Sequence, residues 1–298
     1  MTRLIFAITA LLWGCGALAT TFQAGVTPAP WSVAIRMLLT GIILLFYNAS
    51  TGRPGRIPMK DAPYVALQGT LFFGVAFTAF YEATSRLPSG VAAIGLATSS
   101  IFAALIGRVA LGLRWSPRVI TGSIVGVLGM LAVFVPEIHM ASSPQYAAGI
   151  AWALGAALAT AAGTVVGARN QRAGVPGVAT IGWGALFGAS ASAAWALCAG
   201  DRLVFDGSPD YLLSLLYLTI GASCATFLLY FRLVERIGAS SAAYIFTVVP
   251  IVAICLSALF EGLHLAPSMV IGTVIILVGN LIVLSPRASH DTARALSE

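Results

Sequence analysis

The sequence predicts an all-α integral membrane protein with ten transmembrane helices arranged as two inverted five-helix repeats. Three observations carry this. The 298 residues are 59% hydrophobic and 9% charged, where a soluble chain is about a quarter charged, and the mean hydropathy is +0.94. Ten apolar runs, each near the roughly 20 residues that cross roughly 30 Å of hydrocarbon, follow one another with short polar breaks. A stretch of the first half recurs in the second at an offset of 150 residues. The runs leave no room for a soluble domain.

The first run, 4–22, follows Arg3 and has the outline of a signal sequence, with a faint lipoprotein-like site at Leu12-Trp13-Gly14-Cys15. Trp13 is bulky where such sites take small residues, and nine further runs follow, so 4–22 is read as the first span. Hydropathy and breaker residues set the others near 31–48, 62–84, 88–108, 117–135, 146–168, 177–199, 209–231, 238–260 and 266–285. All are expected to be helices. An open sheet edge in lipid leaves backbone donors and acceptors unpaired, and barrel strands would be shorter and alternate in polarity.

Cytoplasmic loops carry the excess of Lys and Arg. With the N-terminus inside, thirteen basic residues fall inside (Arg3, Arg53, Arg56, Lys60, Arg108, Arg114, Arg118, Arg169, Arg172, Arg232, Arg236, Arg287 and Arg294) and two outside, Arg86 and Arg202. Arg36 lies within a span, and Glu137, Asp201, Asp206, Asp210 and Glu261 all fall outside. An even number of spans with both termini cytoplasmic follows. The formal charge of +6 is scattered between apolar runs, which excludes the clustered basic face of a nucleic-acid binder. Cys15, Cys198, Cys224 and Cys255 sit in apolar runs and read as packing residues. His139, His264 and His290 are far apart in loops or the tail, so no metal site and no cofactor is expected. The preponderance of Arg over the single Lys60, with many Ala and Gly, hints at a GC-rich bacterial genome.

Sliding the chain by 150 residues aligns Leu87–Met130 with Ile237–Asn280 without a gap, and nine of the 44 positions are identical. The shared spacing Gly-Leu-x-x-x-Pro-x-x-x-x-Gly-x-x-x-x-x-x-Gly, at Gly112, Leu113, Pro117, Gly122 and Gly129 and again at Gly262, Leu263, Pro267, Gly272 and Gly279, is harder to reach by chance than Ala matches. Five spans is an odd number, so the second copy must insert upside down. The expected units are 1–136 and 146–287, followed by a cytoplasmic tail, 288–298. Inverted repeats are a hallmark of secondary transporters, in which two halves rock about a midplane site.

Trp13-Gly14, Pro30 through Arg36, the glycine-rich tail of each repeat, and Tyr230, Ala242-Ala243, Pro250 and Glu261 of the second repeat together resemble the drug/metabolite transporter superfamily with its paired EamA domains. The resemblance spans nearly the whole chain, and its motifs mark a fold without specifying a substrate. Within the family the chain is similar to bacterial amino-acid and metabolite exporters, with the aromatic amino-acid exporters one possible branch. One departure is that Ser100 stands where the second repeat has Pro250, which puts a helix bend of the first repeat in doubt.

A carrier needs polar or aromatic side chains at mid-depth and small residues that let helices slide. Trp31, Trp152 and Trp195 belong toward the outside and Trp115 and Trp183 toward the inside, as interfacial anchors. Trp13, alone near mid-membrane, is either a packed indole or a pocket wall. Phe73, Phe77 and Tyr81 recur every four residues on one face, as packing or as a cavity for apolar side chains. Thr98, Ser99 and Ser100, with Tyr244 and Thr247 at similar depth, are pocket hydroxyls or bond their own helices, and Pro250 is a candidate hinge. Thr160 and Thr164 share a helix with Gly155, Ala159, Gly163 and Gly167, a ladder that permits close approach. Tyr230 is a belt residue or an inner gate.

Arg36, about two turns from the outer surface, is a candidate for charge recognition or gating by its cost alone, with snorkelling to the interface as the alternative. Glu82 and Arg86 read as a surface pair. No Asp, Glu or His stands at mid-span, which favours gradient-driven export over strict proton antiport. The expected function is export of amino acids or similar small amphipathic metabolites through a bacterial inner membrane, by a monomer or weak homo-oligomer whose partners are the solute and the bilayer. A proton-coupled drug-cation exporter would carry a membrane-embedded acid, a sugar-phosphate carrier several buried cations, and a membrane enzyme a nucleophile with its base. Those constellations are missing from the sequence; a channel or scaffold remains a further alternative.

Overall fold

The computed structural model describes residues 1–52, 55–112, 117–141, 143–242 and 244–284. Among them there is helix and no strand. Nine helices are long and apolar enough to cross a membrane: α1 Thr2–Thr21, α2 Ala29–Ser50, α3 Ala62–Thr84, α4 Ser89–Ala110, α5 Pro117–Phe134 (helical on to Ala141), α6 Pro144–Arg172, α7 Gly177–Ala199, α8 Pro209–Gly238 and α10 Pro267–Leu284. The tenth, α9, is an apolar helix at Ile245–Phe260. Arg53, Leu113, Arg114, Trp115, Ala243 and the expected tail 288–298 lie outside the described residues.

Helix boundaries depart from the hydropathy reading at several span ends. No breaker interrupts 232–237, so α8 runs on beyond 231 and carries Arg232 and Arg236 on helix rather than loop, until Gly238 at φ 79° and ψ 158° ends the regular turn. Beyond Gly238 residues 239–242 are again helical, and the ninth span continues as α9 from Ile245. The fifth continues past 135 to Ala141, which puts the backbone of His139 on a helix.

The doubled glycine-proline spacing has a local cause at every described position. Gly112 and Gly262 take φ of 62° and 67°, a left-handed conformation costly to any side chain, just beyond the ends of α4 and α9. Pro117 and Pro267 are the first residues of α5 and α10, where a missing N–H costs nothing. The later glycines let two helix backbones touch. A Cβ on Gly122 would lie 2.9 Å from the Gly279 carbonyl oxygen, and one on Gly129 2.8 Å from that of Gly272. The pairs 122–279 and 129–272 make α5 and α10 antiparallel, and each maps onto the other under the 150-residue offset. Neighbour choice follows the same rule: α1 lies on α8 and α9 while α6 lies on α3 and α4, and α2 packs on α7.

α3 and α8, the third helices of the two halves, each contain a π-helical stretch, Thr70–Val75 and Tyr217–Ala225. Such insertions turn the downstream face and are frequent at functional sites. Near Ser100, where the sequence left a helix bend in doubt, the helix is interrupted without a proline. α4 breaks at Thr98 (φ −71°, ψ −11°), and the Ala97 carbonyl accepts a hydrogen bond from Asn280 Nδ2 of α10 at 3.0 Å, while Ser100 Oγ donates to Asn280 Oδ1 at 2.7 Å. A side chain from another helix does here what Pro250 does within α9 by lacking an N–H. The half of α4 before the break packs along α9 and also on α6, and the half after it packs on α6.

The loops fall into two sets. At one end Glu261 accepts from the Ser89 backbone N–H (3.0 Å) and Oγ, joining α9 to the start of α4. Trp31 Nε1 donates to the Asp201 carbonyl at this end, and Trp152 and Trp195 pair with ring centroids 6.0 Å apart. At the other end Asp61 pairs with Arg169 at 2.6 Å, and Trp183 Nε1 donates to the Gly55 carbonyl. These are called the Glu261 end and the Asp61 end below.

Candidate functional site

Arg36 leaves α2 toward the interior and is 6% exposed, so it does not snorkel. Its Nε and Nη2 donate to the Ser223 hydroxyl of α8 at 3.3 and 3.1 Å, and Nη1 donates to the Tyr81 hydroxyl of α3 at 3.3 Å. The guanidinium carbon stands 4.8 Å from the centre of the Phe77 ring, a cation–π contact. No carboxylate among the described residues pairs with it. A guanidinium taken out of water without an opposite charge is costly, and what holds it here is two hydroxyls and a ring face.

The π-helical stretch of α8 explains Ser223. Its Oγ–H donates to the Leu218 carbonyl five residues back at 2.8 Å, which aims the oxygen lone pairs at Arg36. The Tyr81 O–H likewise donates onward, to Gln23 Oε1 at 2.8 Å. Gln23, 1% exposed in the turn after α1, finds no protein acceptor for its Nε2. Proton accounting then runs one way, from Arg36 to Tyr81 to Gln23. Each acceptor in the chain takes at least one bond, and the donors left without an acceptor are guanidinium N–H groups and the Gln23 amide.

From Arg36 an aromatic series crosses the bundle. Phe77 meets Phe73 edge-on at 5.9 Å, Phe73 meets Phe227 at 5.7 Å, and Phe227 meets Trp13 at 5.7 Å. Trp13 then contacts Tyr230 at 5.5 Å and stacks on Phe246 at 5.2 Å. Gly14, beside Trp13, is the reason α9 comes so near, since a Cβ there would sit 2.5 Å from Val252. Between α1 and the Glu261-end half of α3 lies a cavity of about 160 Å³, lined among others by Thr20, Gln23, Thr27, Tyr81, Glu82 and Ser85.

Trp13, Arg36, Phe73, Phe77, Tyr81 and Tyr230 thus join one connected group. The remaining candidates do not join it through a described contact. Thr98 Oγ1 bonds the Gly95 carbonyl at its own break, Thr164 is exposed and bonds the Thr160 carbonyl, and Ser99 and Thr160 are half-buried. Tyr244 caps α9, its carbonyl accepting from the Thr247 N–H, and the buried Thr247 Oγ1 has no protein partner. Pro250 is buried within α9. Glu82 and Arg86 form the expected i,i+4 pair at 2.5 Å. The sequence reading missed Ser223, Gln23, Phe227 and Phe246. The i,i+3 spacing of Phe227 and Tyr230 was a usable sign; a serine that faces inward only because of a π-helical turn, and a glutamine in a turn, give none.

A second polar cluster ties α3 to α6. Asp61, 1% exposed, holds Arg169, whose guanidinium lies 3.7 Å over the Tyr64 ring, and Asn170 Nδ2 donates to Gln68 Oε1 at 2.8 Å. Its charges are mutually satisfied, so it reads as structural.

Comparison with known proteins agrees with this architecture. The EamA-like transporter family matches residues 2–135 and 147–285. An uncharacterized transporter from Clostridium kluyveri is 24% identical over 259 residues, 85% of this chain and 83% of that protein. A crystal structure of a protein superposes with a TM-score of 0.66 at 19% identity, covering 96% of this chain and 98% of its own, a likeness of fold alone.

Proposed function

Because the chain belongs to the EamA-like transporter family, we propose that it exports amino acids or similar small amphipathic metabolites across a bacterial inner membrane, by alternating access between two inverted five-helix halves. The observation that carries the substrate class is the buried Arg36 guanidinium, which has no described carboxylate partner and sits in a network that leaves guanidinium N–H groups and the Gln23 amide without an acceptor. Such a site is complementary to a carboxylate, and the adjoining rings from Phe77 to Trp13 would take an apolar side chain.

The symmetric neighbour pattern, the antiparallel α5–α10 contact and the paired π-helical stretches support reading the halves as inverted repeats. The contact between α4 and α9 lies in the half of α4 nearest Glu261, while both halves of α4 lean on α6. That arrangement favours a resting state shut at the Glu261 end, which the charge count assigns to the periplasm. The only described acid that is buried near a span end, Asp61, is already neutralised by Arg169, which favours gradient-driven export over a proton-coupled drug-cation carrier.

The test is counterflow: proteoliposomes loaded with unlabelled amino acids, with labelled ones outside and no ion gradient. Accumulation of carboxylate-bearing solutes but not of their amides is the expected outcome. Uptake that requires a pH gradient, or exchange of organic cations instead, would overturn the reading.

A further inference from the structure

The cavity at the Glu261 end sits one hydrogen bond from Arg36 and is not needed to explain how Arg36 is held. We propose that it is a second station for a carboxylate, on the exit side of the Arg36 site, with Gln23 Nε2 as its donor and an occupant about the size of alanine. This deepens the transporter reading and rests on it for the direction of travel, but not for the binding itself.

Two independent features meet here. One is the cavity, whose volume of about 160 Å³ falls below the roughly 300–1,000 Å³ of sites for drug-sized molecules. The other is Gln23, 1% exposed, which is among the residues lining that cavity and whose buried amide Nε2 has no protein acceptor. A buried donor left unmatched is destabilising, and a ligand oxygen would match it. Its orientation is set, because Oε1 already accepts from Tyr81. The carboxamide therefore presents a donor and not an acceptor. Tyr81 lies between Gln23 and Arg36 and bonds both, so a carboxylate leaving the guanidinium meets the amide next. Glu82, which also lines the cavity, is paired with Arg86 through Oε2; its remaining lone pairs suit an ammonium group and disfavour a second carboxylate. That combination selects a small zwitterion over a dicarboxylate.

Gln23→Glu isolates the donor. It keeps volume and an oxygen for Tyr81 while replacing the NH₂ group with a second acceptor. Binding of L-alanine to the purified full-length protein is measured by calorimetry in wild type and Gln23→Glu, with alaninamide and L-glutamate as controls, alongside alanine counterflow. The proposal expects alanine to bind wild type in preference to both controls and to lose affinity by about tenfold in the variant, the scale of one hydrogen bond to a charged group. Thermal unfolding of the variant reports whether it is folded, and Gln23→Leu provides a second donor-free form if it is not. Wild-type protein that binds no alanine, binds alaninamide equally, or keeps its affinity in both variants overturns the station. Alanine binding that depends on Gln23 without any counterflow would leave the station standing and sink the transport reading alone.

Discussion

Arg36 of α2 and Ser223 of α8 stand 187 positions apart in the chain, and two guanidinium nitrogens share the one serine oxygen at 3.1 and 3.3 Å. The contact ties α2 to α8 through a charge, and it works because the serine proton is committed to Leu218. Replacing Arg36 by Ala removes the charge-assisted donors. Counterflow of carboxylate-bearing solutes is expected to fall about 10- to 100-fold, from the ~1.5–3 kcal/mol of such a bond. Arg36→Lys retains charge without the planar fork and should fall between. Equal exchange in wild type and both variants would remove Arg36 from the site.

Trp13 and Thr164 were both candidates, and their surroundings separate them. Trp13 touches Phe227, Tyr230 and Phe246, whereas Thr164 is exposed and satisfied by its own helix. Trp13→Ala should reduce exchange of solutes with apolar side chains by about 2- to 12-fold, on the scale of the ~0.5–1.5 kcal/mol that an aromatic pair contributes beyond area burial. Thr164→Val should leave rates unchanged at matched reconstitution. Unchanged exchange in Trp13→Ala would mean that the aromatic series is not the pocket.

Glycines on the α5–α10 contact are there for space. Gly122→Leu places a side chain against the Gly279 carbonyl, and overpacking of this kind costs about 1–3 kcal/mol. Nothing lies within 4 Å of a Cβ on Gly155, so Gly155→Ala should be neutral or stabilising by about 0.5–1 kcal/mol through helix propensity. Melting temperatures in detergent should fall for the first and hold or rise for the second.

Removing one partner of the Asp61–Arg169 pair should show an asymmetry. Arg169→Ala leaves a carboxylate with 2% side-chain exposure uncompensated, a change of about 3 kcal/mol. Asp61→Asn leaves a cation that is 31% exposed and still lies over Tyr64, and should cost less. Unfolding of the two variants side by side decides it; a larger loss for Asp61→Asn would show that the pair is not held by the burial of the acid.

Orientation is open to labelling. After Cys15, Cys198, Cys224 and Cys255 are replaced, Gly207→Cys in the exposed loop of the Glu261 end should react with an impermeant maleimide on intact cells. Lys60→Cys at the Asp61 end should react only after permeabilisation. The reverse pattern would invert the assigned topology.

Residue by residue, the sequence was most legible where causes are local. Apolar run length is fixed by bilayer thickness, so the spans could be counted. Gly112, Pro117, Gly122 and Gly129 and their second-half counterparts announced themselves because a left-handed cap, a helix start and a backbone contact each admit few residue types. Trp13, Arg36, Phe73, Phe77 and Tyr81 were recognisable as unusual for their depth. Their function as one site was not: Arg36 was as compatible with snorkelling as with burial. The turn to Ser223 depends on a π-helical insertion that no residue pattern marks, and Gln23 enters only because α1, α2 and α3 converge above it. The break at Thr98 is fixed by Asn280, 183 positions from the carbonyl that it satisfies. Hydrophobicity and backbone chemistry act within a few residues and therefore appear in the sequence. The direction of each hydrogen bond depends on which helices meet and at what rotation, and only the tertiary structure decides that.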